Sequence, residues 1–328
     1  MRFLLDDEQR EFGRSLDAML GAAGTPAAVR AWGAGDHRPG LTLWSRLAEA
    51  GVFALAVPEA YGGVGLLPVE LAVSFVELGR HAVPGPVVET VAASVLLSVT
   101  GGPAAKEWLP RLADGTASAT LRLDGPYALD ADVADAVFTV CGEELWLASG
   151  PGPFSASADP ARRLFSPDSG GTLLARGPRV AEGAAAAADW AAFVTAAQAL
   201  GVGESLLRST VAYVKQRTQF GAAVGSFQAV KHRLADTLTA LEFARPLLYG
   251  AAMSLAEPDA RPRTGADVAA AKLAAGEAAY AAARTALQLH GAVGYTEELD
   301  LALWLRKARP LRDAWGAPGA CRARVLAG

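Results

Sequence analysis

The hydrophobic pattern of the first hundred or so residues predicts a helical domain. Apolar residues recur on one face of a helix that begins at the acidic pair Asp6 and Asp7, and acids stabilise a helix N-terminus. The residues on that face are Phe3, Phe12, Leu16, Met19 and Leu20. Further helices are expected over about 68–80 and about 87–112, with Pro84 and Pro86 breaking the chain between them.

The pattern changes at about residue 117, where short alternating runs replace the helical period. The runs at 134–140 and 144–147 predict strands, and clusters of Pro, Gly and Ser separate them from their neighbours. About five or six strands fit before residue 183, and beyond it the chain returns to long helical patterns. We therefore expect a mostly α protein with an N-terminal helical domain at 1–115, a small β domain at 116–183 and a helical bundle at 184–328.

Composition narrows the functional classes. The 328 residues are 52% hydrophobic and 20% charged, which is typical of a globular protein. A net charge of −4 and the absence of a basic run interleaved with aromatic residues give no reason to expect a nucleic-acid partner. Cys141 and Cys321, the only two cysteines, form neither a disulfide scaffold nor a metal cluster, so a reducing cytoplasm is the expected compartment.

The chain's most weakly charged long stretch, residues 183–203, is rich in alanine and contains Asp189. Alanine is too weakly apolar to hold a helix in lipid, so a buried helix rather than a membrane span is expected there. The N-terminus becomes acidic at once and lacks the apolar run of a secretory signal.

Two helix ends broken by glycine are candidate binding segments. The first is Arg217-Thr218-Gln219-Phe220-Gly221, after which the next helix is expected to begin near Ser226. A guanidinium and free backbone N–H groups at such a turn can bind a pyrophosphate, and Phe220 offers an apolar surface. The same residues also suit a plain helix–helix turn in which Arg217 caps carbonyl groups.

The second segment is Gln288-Leu289-His290-Gly291-Ala292-Val293-Gly294. Gln288 can donate a hydrogen bond to a phosphate or carbonyl oxygen, and Gly291 lets another backbone or a cofactor approach closely. His290 has no acidic neighbour in sequence, which favours a packing role over acid–base chemistry.

Together the two segments resemble the flavin-binding C-terminal domain of the acyl-CoA dehydrogenases, oxidoreductases of lipid metabolism. The family motif is R-x-x-F-G, then F-Q and L-A-D/E, then Q-x-x-G-G-x-G-Y. Here Phe227-Gln228 and Leu234-Ala235-Asp236 follow the first segment, and Ala292 replaces one glycine of the second. The resemblance implies binding of the adenosine-diphosphate half of FAD across a subunit interface. It gives this role to Arg217, Gln219, Phe220, Gln288 and Gly291.

The N-terminal half is similar to the same family. The matching runs are Asp7-Glu8-Gln9-Arg10, the segment 57–65 and Glu77-Leu78-Gly79-Arg80. The resemblance therefore covers most of the chain and is weakest in the β region. It implies the acyl-CoA dehydrogenase fold, in which an N-terminal helical domain, a β domain and a C-terminal four-helix bundle follow one another.

The catalytic base of the family is missing from its usual positions. Removal of the α proton of an acyl thioester needs a carboxylate in a dry site, where lost solvation raises its basicity. The family places a glutamate in one of two positions, which Trp315 and Ala191 occupy here. The remaining candidates are Asp236 and, less favoured, Asp313. The family commonly has an acidic residue at the position of Asp236, where it more often has a structural role.

The β region also lacks a good counterpart of the T-E-P segment that contacts the flavin ring in full-length relatives, and residues 121–126 occupy about its place. We therefore expect a shortened subunit that works with a fuller homologous chain in a two-chain FAD-dependent acyl-CoA dehydrogenase. One alternative is a self-sufficient homodimer with Asp236 or Asp313 as base. The other is a non-catalytic scaffold subunit that has lost its flavin.

Overall fold

The computed structural model describes residues 4–123, 125–168, 170–257 and 263–328. The chain forms two compact units. The terminal unit comprises Met1–Asp17, Ala72–Ala82 and Thr195–Gly328, and the central unit comprises Ala18–Leu71 and Val83–Val194. The boundaries expected from sequence, 1–115, 116–183 and 184–328, stay a prediction.

Six helices occupy the N-terminal third of the chain. They are α1 (Asp7–Gly21), α2 (Thr25–Gly33), α3 (Arg38–Glu49), α4 (Pro68–Arg80), α5 (Val87–Thr100) and α6 (Gly102–Ala113). The helix expected at 68–80 is present with those bounds. The helix expected over about 87–112 is present as two helices, because Gly101 has φ 71° and ψ −154° and separates α5 from α6.

The apolar face expected for the first helix is present where it is described, since Leu16 and Leu20 are buried. Phe3 lies outside the described residues. Between α3 and α4, the short strands β1 (Ala56–Val57) and β2 (Gly65–Leu66) pair antiparallel.

The β region consists of seven described strands in two sheets. They are β3 (Ala119–Arg122), β4 (Ala128–Leu129), β5 (Ala136–Cys141), β6 (Glu144–Leu147), β7 (Phe154–Ser155), β8 (Leu164–Phe165) and β9 (Thr172–Arg176). The first sheet has the order β3-β5-β6-β9, with β3 parallel to β5 and the other pairs antiparallel; the second has the order β4-β8-β7. The sequence predicted five or six strands, because two-residue strands are too short to show an alternating pattern.

A buried carboxyl group joins the helices and strands of the central unit. Asp130 is fully buried, and its Oδ1 accepts hydrogen bonds from the indole Nε1 of Trp32 at 3.0 Å and from the backbone N–H of Arg163 at 3.4 Å. Burial raises the pKa of Asp130 to about 7; the bond from Trp32 opposes the rise and the nearby Glu89 carboxylate adds to it. The folded central unit therefore holds a proton on Asp130 that the unfolded chain releases in mild acid.

The C-terminal half is helical. Its helices are α7 (Pro178–Gln216), α8 (Gln228–Ala256), α9 (Thr264–His290), α10 (Leu301–Asp313) and α11 (Pro318–Ala327). Between α7 and α8 lies a hairpin of β10 (Thr218–Gln219) and β11 (Ala222–Ala223), and the helical break expected at 290–295 is a 3-10 turn, Gly291–Tyr295.

Among the described residues, α7 is the one helix long and apolar enough to cross a membrane by length and composition. Its most apolar window is 78% buried inside the protein. Such burial is typical of a core helix and agrees with the buried helix expected at 183–203.

Within the terminal unit, α4 and α7 cross at unusually short distance. A Cβ placed on Gly79 would lie 2.0 Å from the carbonyl oxygen of Gln198, and one placed on Gly201 would lie 1.9 Å from that of Val76. Real Cβ atoms do not approach backbone so closely, so both positions require glycine.

We expect Gly79→Ala to destabilise the protein by about 1–3 kcal/mol or more, because the new methyl group overlaps a backbone carbonyl that cannot rotate away. Gly319→Ala is the matched control, since no atom lies within 4 Å of a Cβ at that position. Urea unfolding followed by circular dichroism measures both variants. A midpoint for Gly79→Ala equal to that of the wild type would show that the helices can separate without cost.

Stability should also depend on pH through Asp130. Because the pKa is raised from 3.8 to about 7, the wild type loses stability as pH rises through this range, and a pKa difference of one corresponds to about 1.4 kcal/mol. Asp130→Asn keeps an acceptor for Trp32 and lacks the titrating group. Urea midpoints at about pH 5 and about pH 7.5 should therefore fall less in Asp130→Asn than in the wild type. The exposed control Asp168→Asn should follow the wild type; equal pH slopes in all three proteins contradict the assignment.

Candidate functional site

The first candidate segment forms a tight hairpin directly after α7. Thr218 pairs with Ala223 and Gln219 with Ala222, so Phe220 and Gly221 form a two-residue turn. Both turn residues have positive φ, 55° for Phe220 and 76° for Gly221, as hairpins of this length favour. Glycine accepts this conformation readily and phenylalanine does not, so the turn holds a strained residue.

The strained turn projects an aromatic ring into solvent. Phe220 is 94% exposed, and its ring centroid lies 6.4 Å from that of Phe227, which is 38% exposed. A phenylalanine that is both strained and exposed contributes little to the stability of the chain itself. The arrangement is typical of a surface that another molecule covers.

The backbone of Arg217 is fixed, whereas its guanidinium is not. Its N–H donates to the carbonyl of Tyr213 at 2.9 Å, and its carbonyl accepts from Val224 at 2.8 Å. The side chain is exposed and makes no hydrogen bond or ion pair with the part of the chain that the structure describes. The alternative role as a carbonyl cap is therefore not used here. Gln219 is also exposed, and its Nε2 donates to the carbonyl of Thr218 at 2.7 Å.

The second candidate segment lies at the C-terminus of α9. Gln288 and Gly291 are exposed, and Gly291 has φ 62° with no atom within 4 Å of a Cβ built on it. His290 is buried, and its Nδ1 lies 2.8 Å from the carbonyl oxygen of Ala286. Burial lowers the pKa of His290, which leaves the imidazole neutral at pH 7. These contacts describe a packing residue.

The two segments meet through Tyr213 and His290. The two rings stack with centroids 4.2 Å apart and an interplanar angle of 21°, and the Tyr213 hydroxyl donates to the His290 carbonyl at 3.5 Å. Tyr213 lies one helical turn before Arg217, and His290 lies between Gln288 and Gly291. The structure thus brings the two motif segments to adjacent helix ends. Sequence analysis did not identify Tyr213; its spacing of four residues from Arg217 was the available signal.

The candidate bases lie in different places. Asp236 is exposed on α8, and Asp313 is exposed at the last residue of α10, with Oδ1 3.8 Å from Nη1 of Arg312. Neither carboxylate has the dry surroundings that raise basicity. Of the residues at the family's usual base positions, Ala191 is fully buried and Trp315 is half-buried with φ 53°.

The loop that carries Trp315 is fixed by a buried lysine. Lys272 is 1% exposed, and its Nζ donates to the carbonyls of Arg312 at 2.9 Å and Gly316 at 3.1 Å. These bonds satisfy carbonyl groups after α10 that the helix leaves unpaired. Sequence analysis did not identify this lysine.

Family comparison gives the identity of this arrangement. Residues 6–116 match the model described as Acyl-CoA dehydrogenase, N-terminal domain, and residues 179–325 match that described as Acyl-CoA dehydrogenase, C-terminal domain. The chain belongs to the acyl-CoA dehydrogenase family. Members of this family are FAD-dependent oxidoreductases.

Individual relatives agree with the family. The chain is 38% identical over 307 residues to acyl-CoA dehydrogenase IpdE2 of Mycobacterium tuberculosis, covering 92% of this chain and 91% of the relative. A chain of the ChsE4-ChsE5 complex of M. tuberculosis is 26% identical with TM-score 0.85, covering 100% and 98%. A chain of the Tcur3481-Tcur3483 steroid ACAD G363A variant is 25% identical with TM-score 0.83, covering 98% and 97%. The acyl-CoA dehydrogenase fold expected from the sequence is confirmed.

Proposed function

We propose that this chain is one subunit of a two-chain FAD-dependent acyl-CoA dehydrogenase, which introduces an α,β double bond into an acyl-CoA thioester with a fuller homologous chain as partner. One observation carries the proposal. The hairpin after α7 presents a cation and an aromatic ring to solvent, in a strained turn beside the second motif segment.

The exposed groups fit the diphosphate half of FAD. Arg217 supplies a guanidinium that no described residue neutralises, and a diphosphate carries the matching negative charge. Gln288 supplies an amide donor, and Gly291 leaves its backbone open to close approach. Phe220 and Gln219 are exposed on the same hairpin as Arg217. When bound, FAD supplies the acceptor for the β hydride of the substrate.

The state of the candidate bases supports dependence on a partner. The chain must remove an α proton to act alone, yet Asp236 and Asp313 are exposed and Ala191 and Trp315 cannot accept a proton. Two of the similar solved structures are two-chain assemblies, ChsE4-ChsE5 and Tcur3481-Tcur3483. The second is described as a steroid ACAD, so steroid-derived acyl-CoA is the first substrate class to test. A reducing cytoplasm is the proposed compartment.

A visible spectrum tests the proposal directly. We expect weak flavin absorbance for the chain purified alone and strong absorbance after co-purification with a fuller homologous acyl-CoA dehydrogenase chain as partner. Strong absorbance and turnover by the lone chain would support the self-sufficient homodimer instead. Absence of flavin from both preparations would support the scaffold.

Arg217→Ala should lower flavin retention by the assembled enzyme. A charge-assisted hydrogen bond contributes about 1.5–3 kcal/mol, so losing one should weaken binding about tenfold or more. The matched control is Arg208→Ala. Arg208 is an exposed arginine on α7 and has no partner among the described residues. Flavin-to-protein ratios after dialysis measure the effect, and circular dichroism checks the fold. A ratio unchanged from the control would make Arg217 a turn residue.

The carboxylates of this chain should separate the catalytic alternatives. If the partner supplies the base, Asp236→Asn and Asp313→Asn retain acyl-CoA turnover in the assembled enzyme within about threefold. If either aspartate is the base, its variant loses roughly 10²–10⁴-fold or more of activity while flavin content and helicity stay unchanged. Single-turnover flavin bleaching with acyl-CoA measures this step apart from product release.

A further inference from the structure

Three potential metal ligands lie together in the terminal unit, on elements that the flavin proposal does not use. Asp17 is on α1, Glu77 is on α4 and His81 follows α4 directly. One ligand atom from each residue lies within 4.8 Å of the other two, and His81 Nε2 is 2.7 Å from Asp17 Oδ1. His81 Nε2 and Asp17 Oδ1 are at hydrogen-bond distance, so an ion between them would replace that bond and small side-chain movements would bring in Glu77.

Glu77 has an unsatisfied oxygen in this cluster. Its side chain is 7% exposed, and its Oε1 accepts a hydrogen bond from Nη1 of Arg80. Its Oε2 is buried and has no hydrogen-bond partner within the described residues. Buried carboxylate oxygens are almost always paired, because an unpaired one costs free energy. This oxygen therefore indicates a ligand that the chain itself does not supply.

Three carboxylates and two guanidinium groups lie around this cluster. Arg80 pairs with Glu77 and, through Nη2 at 2.6 Å, with Glu204, which also lies 2.5 Å from Nη2 of Arg245. Burial raises the pKa of Glu77 to about 7; Arg80 opposes the rise, and the carboxylates of Asp17 and Glu204 add to it. A cation bound beside Glu77 and Asp17 would stabilise the charged form of the Glu77 carboxylate.

We propose that Asp17, Glu77 and His81 bind one divalent transition-metal ion, with Zn²⁺ as the best match. Zn²⁺ accepts imidazole nitrogen and carboxylate oxygen as ligands, whereas Mg²⁺ and Ca²⁺ prefer oxygen alone. The ion satisfies the buried Oε2 of Glu77 and joins α1 to α4. A cavity of about 210 Å³ beside Asp17 and Glu77, which Arg10, Arg14, Arg80 and Arg245 also line, has room for water to complete the coordination shell.

The test uses the full-length chain, untagged and carrying Cys141→Ser, because Cys141 is an exposed thiol that can bind zinc. Titration with Zn²⁺ by calorimetry and with Co²⁺ by visible absorbance should show one equivalent bound. Saturating Zn²⁺ should raise Tm by roughly 2 °C or more, as expected for a ligand that binds only the folded state. Mg²⁺ should give neither signal.

Ligand variants decide the location. His81→Gln and Asp17→Asn should each weaken Zn²⁺ binding at least about tenfold. His37→Gln is the matched control, because His37 also faces a carboxylate, with its Nε2 4.0 Å from Oδ2 of Asp132. The guanidinium of Arg163 pairs with Asp132 there, where a metal site would need a second carboxylate. Glu77→Gln is titrated as a third ligand variant, provided that its circular dichroism spectrum matches that of the wild type. Unchanged affinity in both His81→Gln and Asp17→Asn, or loss of the bound equivalent in His37→Gln, overturns the proposal. Flavin retention by the assembled enzyme should be the same in these variants, so failure here does not bear on the flavin segments.

Discussion

The crossing of α4 and α7 constrains the terminal unit more than any other contact, because backbone occupies the space where side chains would lie at Gly79 and Gly201. Arg80, one residue after Gly79, lies 2.6 Å from Glu204, which also lies 2.5 Å from Arg245 of α8. The indole of Trp304 donates to the carbonyls of Gly79 and Arg80 at 3.1 and 3.0 Å, which connects α10 to the same point. Partly buried charged groups lose solvation, and this loss offsets much of the attraction between them. These ion pairs therefore fix the geometry of the crossing more than they add to the free energy of unfolding.

The hairpin after α7 is positioned by one of the two crossing helices, but its own residues take no part in the crossing. Within the described residues, Phe220 and Trp315 are two of four non-glycine residues with positive φ, and a residue held in such a conformation costs of order 1–3 kcal/mol. The cost at Phe220 has no compensation in packing, since the ring is 94% exposed. A rigid helix end, fixed by the Tyr213–His290 stack, holds a strained loop ready for a ligand, and ordering the loop then costs little on binding.

Elements that have a local signal in the sequence, either a hydrophobic period or a glycine, could be predicted. The helix at 68–80 and the two glycine-broken segments were predictable because each has a local signal. The division at Gly101 was missed, since a glycine within a long apolar pattern does not reveal its φ. The contacts of Lys272, Tyr213 and Asp130 were also missed, because each joins residues more than thirty positions apart in the sequence. The cluster of Asp17, Glu77 and His81 combines the two cases. Glu77 and His81 are one helical turn apart, which the sequence shows, whereas nothing in the sequence places Asp17 beside them.

The acids of this chain fall into two groups, and the division bears on catalysis. Glu77 and Asp130 have the raised pKa that a catalytic base needs, but each is committed to a structural partner, Arg80 for Glu77 and Trp32 for Asp130. Asp236 and Asp313 are exposed, and Asp313 lies 3.8 Å from the guanidinium of Arg312. In the proposed two-chain enzyme, a partner that covers α8 or the end of α10 would remove water from one of these carboxylates. Lost solvation raises the basicity of a carboxylate, so the contact that completes the flavin site would also favour an aspartate of this chain as base.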